Sequence, residues 1–311
     1  MKKQFLSLAM AAMLTASAGA YLPAQNVSAV EVIDNIFHFD VENGEAAFIG
    51  CDERDGLPLR DMFTPQDSDG IPVTRIGWRT FYDHQTLTSI VITDNILETG
   101  MEVFAECKRL YEITFGMNMT EIAGESCKNC TGLLRAFLPD GLRVIGNGAF
   151  DGCSALASIE LPQQLETIEA FAFCRTGLTE ITIPTSVKEI GYQSFFCCPD
   201  LEKITILNPD CEIDDTSGMG VTICNSVRPN DEFDPPSEGF YEFGVYNGTI
   251  CGYEGSTAHE FAEKHGYKFE ALKKPETTDN LKGDLNGDGL VNLKDVVLLR
   301  RYIAGGWGVT L

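Results

Sequence analysis

The chain has 311 residues, with 46 acidic side chains against 23 basic ones and a formal net charge of -23 at pH 7. That length holds one large domain and a small one. The excess of carboxylates excludes nucleic acid and anionic membrane surfaces as partners, because both repel such a chain, and it suits a soluble exported protein.

In chain order the first element is a secretory leader. Lys2 and Lys3 precede an apolar run over residues 5–14, and small residues follow. Cleavage is expected after the small-x-small pair Ala18 and Ala20 or the pair Val27 and Ala29, within residues 1–29. No later apolar run reaches the ~18 residues that a membrane span needs, so the mature protein is expected to be released or held by partners. Residues 31–73 are expected to cap the next domain. Within them IFHFDVENGEAAFIG reads as a hairpin, with Asn43 and Gly44 supplying the turn.

Residues 74–213 repeat every 23 residues, with one step of 22. One column holds Leu87, Leu110, Leu133, Leu156, Leu178 and Leu201; another holds Phe81, Phe104, Cys127, Phe150, Phe173 and Phe195; a third holds His84, Cys107, Cys130, Cys153, Thr176 and Cys198. A fixed period with columns of one residue type means stacked coils, each burying its apolar face against its neighbours. Within each unit the run L-x-x-I-x-[IL] alternates and reads as a strand. Pro139, Pro162 and Pro184 close it, since proline donates nothing to a ladder. The fold expected is a repeat solenoid, β-rich with short connecting turns. The pattern resembles the BspA-like class of leucine-rich repeats, found on bacterial surface and secreted proteins, from about residue 32 to residue 272.

Eleven cysteines in an exported chain would ordinarily mean disulfides. Here several fall in register, which admits two readings. They are small buried hydrophobes filling a column, or neighbours about 5 Å apart that reach disulfide distance; a thiol count on denatured protein separates the two. Cys127 and Cys130 form a CxxC with no second pair or histidine to complete a zinc set, and read as two core positions. The outward strand positions make two further columns: Ser89, Glu112, Arg135, Ser158, Glu180 and Lys203, then Val91, Thr114, Phe137, Glu160, Thr182 and Thr205. They are expected side by side on one exposed sheet, either as a partner-binding face or as a solvated one.

Residues 214–272 hold an insertion and a C-terminal cap. In the cap Thr257 and Glu260 form a capping box, a helix runs to about His265, and Gly266 stops it. His259 and His265 stand six apart, roughly 240° around a helix, whereas a zinc protease sets its histidines four apart. The pair therefore does not read as a catalytic metal site. Residues 273–282 are a polar tether.

The last segment, GDLNGDGLVNLKDVVLLRRYIAGG, contains a twelve-residue loop with Asp284, Asn286 and Asp288 at alternate positions, Gly289 at the reversal, then Asn292 and finally Asp295. A hard cation takes roughly six to eight oxygens, so alternating short carboxylates and amides converge on calcium, and Leu290 adds its carbonyl. An Asx-rich turn without an ion is the alternative. Val296, Leu299 and Ile303 then recur at helical spacing, so the loop leads into an amphipathic helix. With Asp rather than Glu at its last position, the loop resembles a dockerin repeat over residues 283–306, a small α-helical, EF-hand-like segment. The resemblance implies calcium as cofactor and a cohesin module of a scaffold as partner, with Leu293, Lys294, Arg300 and Arg301 as cohesin contacts. The two arginines alternatively form a solvated helix face. Dockerins pair two such repeats, so residues 283–311 are expected to be an incomplete dockerin.

No catalytic constellation emerges. The four histidines, His38, His84, His259 and His265, fall in the hairpin, a core column and the cap, and stacked repeats with small exposed residues offer no evident deep cleft. The expectation is a secreted, non-catalytic component of a cellulosome-like complex, in the context of polysaccharide catabolism, whose repeats bind protein or carbohydrate. The alternatives are a surface adhesin in which calcium only stabilises the C-terminus, and a polysaccharide-degrading enzyme.

Overall fold

The computed structural model describes residues 37–42, 45–51, 62–65, 67–68, 71–215, 221–225 and 245–273. From His38 onward these belong to one compact unit. Its architecture is the solenoid expected, with one short helix among the described residues.

Each coil has three sides. The first is the predicted strand: Met62–Phe63, Ser89–Val91, Glu112–Thr114 and Arg135–Phe137 stack as one parallel sheet. Glu180–Ile183, Lys203–Ile206, Thr249–Gly252 and Lys268–Ala271 stack as another. The second side is a two-residue strand per coil, Glu121–Ile122, Val144–Ile145, Thr167–Ile168, Glu189–Ile190 and Glu212–Ile213, again parallel and in register. At the N-terminal end Glu45–Cys51 lies between Phe37–Glu42 and Ile71–Ile76.

The third side is made of corners. In the coils beginning near residues 79, 102, 125, 171 and 193, two non-glycine residues four apart take left-handed backbone conformations, with φ from 52° to 66°. One coil uses Gly148 and Gly152 there. These conformations turn alternate amides along the solenoid axis. Arg79, Phe81 and Asp83 donate to the carbonyls of Met101, Val103 and Ala105, and Glu102, Phe104 and Glu106 donate to those of Gly124, Ser126 and Lys128. Neighbouring coils thus bond on three sides, except on the strand side of the coil that carries Ser158 and Glu160, and these bonds satisfy main-chain groups that burial would otherwise orphan.

Inside, the Leu column and the Phe column are buried throughout. Rings stack in successive coils: Phe81 on Phe104 with centroids 5.3 Å apart, Phe150 on Phe173 at 5.5 Å and Phe173 on Phe195 at 5.5 Å. Cys127 interrupts this row, and Phe115 reaches across to meet Phe150 edge-on at 6.4 Å, so a large residue in a neighbouring column offsets a small one.

The outward face departs from expectation in two places. Ser89 is buried, and Ser158 and Glu160 sit outside any strand, so the exposed columns form two sheets rather than one. The interruption coincides with Ala136 standing where the coils on either side place Ile113 and Ile159, a position without the branched side chain that favours a strand. It also precedes the single short step of the repeat. There Gly177 packs so closely that an added Cβ would land on the Ser154 carbonyl oxygen.

The helix Thr257–His265 closes the last coils. Its N-cap is Ser256, whose hydroxyl accepts from the His259 amide, and not Thr257. The Thr257 hydroxyl instead donates to the carbonyls of Pro209 and Cys211 at 3.2 and 2.6 Å, a tertiary use that a local motif does not reveal. Gly266 ends the helix with φ 69°.

Three outcomes follow. Phe173→Ala should cost about 3–5 kcal/mol in a urea titration, as truncation opens a cavity between two stacked rings. Gly177→Ala should destabilise by about 1–3 kcal/mol, since backbone must shift to admit the methyl. Glu166, between Lys188 at 2.5 Å and Arg143, is held below the ordinary carboxylate value of 4.5 chiefly by Lys188 and then by Arg143. A lowered folded value gives stability that is fully present above 4.5 and lost as pH falls below 4.5 and through the lowered folded value. The stability difference between the native chain and Glu166→Gln should therefore shrink on moving from neutral pH to about pH 3.

Candidate binding face

The strand-side ladder fixes side chains at regular spacing on a stiff main chain. Glu112 and Arg135 are register partners joined by a 2.6 Å ion pair, and Glu180 faces Lys203 in the second sheet. Around the first pair stand exposed apolar groups. Phe137 is half-exposed as its column position requires, at 50%, and is joined by Leu134 at 54% and Tyr111. Tyr111 and Leu134 occupy equivalent positions in adjacent coils, the Leu134 amide donating to the Tyr111 carbonyl.

A second exposed group lies on the corner side of the first coils. Trp78, 62% exposed, and Tyr82 each hold the Arg79 guanidinium carbon 4.6 Å from their ring centroids. The same guanidinium donates from Nε and Nη2 to Glu102 Oε2 at 2.8 and 2.6 Å. Left-handed φ at Arg79 turns the side chain between the rings. Sequence reasoning assigned Phe81 to the core and passed over its neighbours in Trp-Arg-Thr-Phe-Tyr. The usable signal was an aromatic on each side of a buried column position.

A groove of about 550 Å³ lies where the second-side strands meet the helix, lined by Glu189, Glu212, Asp214, Thr257, Glu260 and Lys264 among others. Lys264 and His265 both reach Asp215 at 2.6 Å, which ties the helix to the last coil. His259 stacks on Phe269 with centroids 4.3 Å apart, and its Nδ1 accepts from the Gly255 amide. Both histidines of the cap are thus occupied in closing it.

The in-register thiols point inward and bond between coils. Cys107, Cys130, Cys153 and Cys198 donate to the carbonyls of Phe81, Phe104, Cys127 and Phe173 at 2.9–3.1 Å. Burial pushes the Cys198 thiol up to about 11 and the Cys211 thiol up to about 12. These columns act as small buried hydrophobes with one directed hydrogen bond each.

The expected calcium ligands Asp284, Asn286, Asp288, Leu290, Asn292 and Asp295 lie outside the described residues, as do Leu293, Lys294, Arg300 and Arg301. Among the described residues no helix is long and apolar enough to cross a membrane.

No curated protein matches the chain. Among solved structures, a leucine-rich cell surface protein from Faecalibacterium prausnitzii is 26% identical, with 60% of this chain and 56% of that one covered and a TM-score of 0.44. The chain therefore spans little more than half the length of that protein. The T. pallidum leucine-rich repeat protein is 21% identical, covering 76% of this chain and 97% of its own, with a TM-score of 0.42. The pneumococcal vaccine antigen PcpA is 14% identical, covering 78% and 98%, with a TM-score of 0.34. A family model described as BspA type Leucine rich repeat region (6 copies) matches residues 122–217. The stacked coils with their buried Leu and Phe columns thus include, over residues 122–217, a BspA-type leucine-rich repeat region.

Proposed function

We propose that the chain is an exported, non-catalytic binding protein. Its repeat face engages a protein or carbohydrate ligand, and its C-terminal calcium loop docks onto a cohesin module of a scaffold. The observation that carries this reading is the joining, in one chain, of a stiff ladder bearing exposed rings with the alternating oxygen ligands of residues 284–295. Solenoids use such regular faces for partners, and Phe137, Leu134 and Tyr111 around the Glu112–Arg135 pair supply apolar area with a polar anchor. The non-catalytic half is supported by the character of that face, where mixed charges pair along the ladder instead of converging on a cleft.

A second reading, a surface adhesin, is favoured by the BspA-type repeat region at residues 122–217. In it the calcium loop only stabilises the C-terminus.

Calcium titration of the full chain by calorimetry should show binding that Asp284→Ala and Asp288→Ala each weaken by about tenfold or more. Immobilised cohesin modules should retain the chain, extended by a second dockerin repeat, with calcium and release it on chelation. Calcium binding with no cohesin retained would favour the adhesin reading, and no calcium binding would defeat the docking proposal.

A further inference from the structure

The corner ladder ends on a sulfur. In successive coils Asp83, Glu106, Asn129, Gly152 and Arg175 each donate their amide to a carbonyl of the next coil at 2.6–2.8 Å. The equivalent residue of the following coil is Cys197, and its amide donates to Cys224 Sγ at 3.2 Å. The two cysteines are 27 residues apart in sequence. The main chain holds both in place. Phe195 and Ile223 form a parallel bridge, the Phe195 amide donates to the Thr222 carbonyl at 3.0 Å, and the Cys198 amide donates to the Cys224 carbonyl at 3.0 Å. Asn225 Nδ2 adds bonds to the carbonyls of Cys198 and Leu201 at 3.0 and 2.9 Å. This register sets Cys224 beside Phe196, one residue from Cys197; on segments about 4.8 Å apart with a rise of about 3.3 Å per residue, such a diagonal pair falls inside the Cα separation of roughly 4.4–6.8 Å that a disulfide bridges.

Accessibility separates the two sulfurs. Cys224 is fully buried, and contact with the Cys197 thiol, reinforced by burial, keeps its proton on. Cys197 is half-buried at a left-handed corner, whereas Cys107, Cys127, Cys130, Cys153, Cys174, Cys198, Cys211, Cys224 and Cys251 are all buried. The column thiols are further committed to carbonyls one coil back.

We propose that Cys197 and Cys224 form a reactive dithiol that a small-molecule disulfide converts to an intrachain disulfide, with Cys197 as the attacking sulfur and Cys224 as the resolving one. Cys197, as thiolate, attacks one sulfur of RS–SR; that S–S bond breaks, RS⁻ departs and a mixed disulfide forms on Cys197. Cys224 gives its proton to the departed RS⁻ and attacks Cys197 Sγ, and the second RS⁻ leaves and takes the proton first lost by Cys197. Two protein thiols lose two electrons and two protons in all, and RS–SR becomes two RSH. During the second attack the Cys197 amide, already aimed at Cys224 Sγ, stabilises the thiolate that forms there.

The test is incubation of the native full chain with oxidised glutathione, followed by peptide mapping without reduction. The expected product is a single linkage joining the Cys197 and Cys224 peptides, with a rise of roughly 5–10 °C in the thermal midpoint from closing the loop. Cys224→Ser should accumulate a stable glutathione adduct on Cys197, and Cys197→Ser should react roughly tenfold more slowly or worse. A stable adduct on Cys197 of the native chain, a linkage joining either cysteine elsewhere, or an unreacted pair would overturn the proposal. The native-chain map decides the matter even where a variant fails to fold.

Discussion

Every feature of this molecule depends on main-chain hydrogen bonding between successive coils. A single coil buries no surface of its own and leaves its amides and carbonyls pointing along the axis, where only another coil can meet them. Two of the three sides meet that demand as parallel strands, long on one side and two residues on the other. The corners meet it with left-handed residues that turn alternate amides toward the next coil. Side-chain columns follow from this register. Once the backbones are locked one above another, like residues stack on like, and apolar positions become continuous rows.

The rows tolerate exceptions that conserve volume or bonding. Cys127 in place of a ring is answered by Phe115, and Thr176 in place of a thiol turns its hydroxyl to the Phe173 carbonyl at 2.9 Å. Charge is handled in the same manner. Arg175 donates twice to the largely buried Asp151 of the preceding coil, at 2.9 and 2.7 Å, and Arg79 reaches Glu102 one coil on. A strongly acidic chain thus spends many of its scarce cations along the axis as cross-links between neighbours.

What was legible in the sequence was what periodicity exposes. The Leu, Phe and Cys columns and the strand in each unit could be read because burial selects one residue type per row. The third side could not, because left-handed corners normally announce themselves through glycine, and only Gly148 and Gly152 do so here. The outward columns were read too generously, since alternation alone does not show that Ser89 is covered or that Ser158 and Glu160 fall outside the strands. The Trp78–Arg79–Tyr82 group escaped for a related reason: its geometry rests on a corner conformation that Arg79 gives no hint of adopting. The segment over residues 284–295 expected to bind calcium, the most specific local motif in the chain, falls outside the described residues.

The corners also set how the solenoid comes apart. Among the described residues ten non-glycine positions hold left-handed φ, each against a penalty of about 1–2 kcal/mol, so a lone coil stripped of its neighbours springs open. The strain is tolerable only while axial bonds hold it on both flanks. Loss of one coil in the middle therefore releases strain in the two beside it, and the stack behaves less like a row of independent rungs than like a latch under tension, closed or open as a whole.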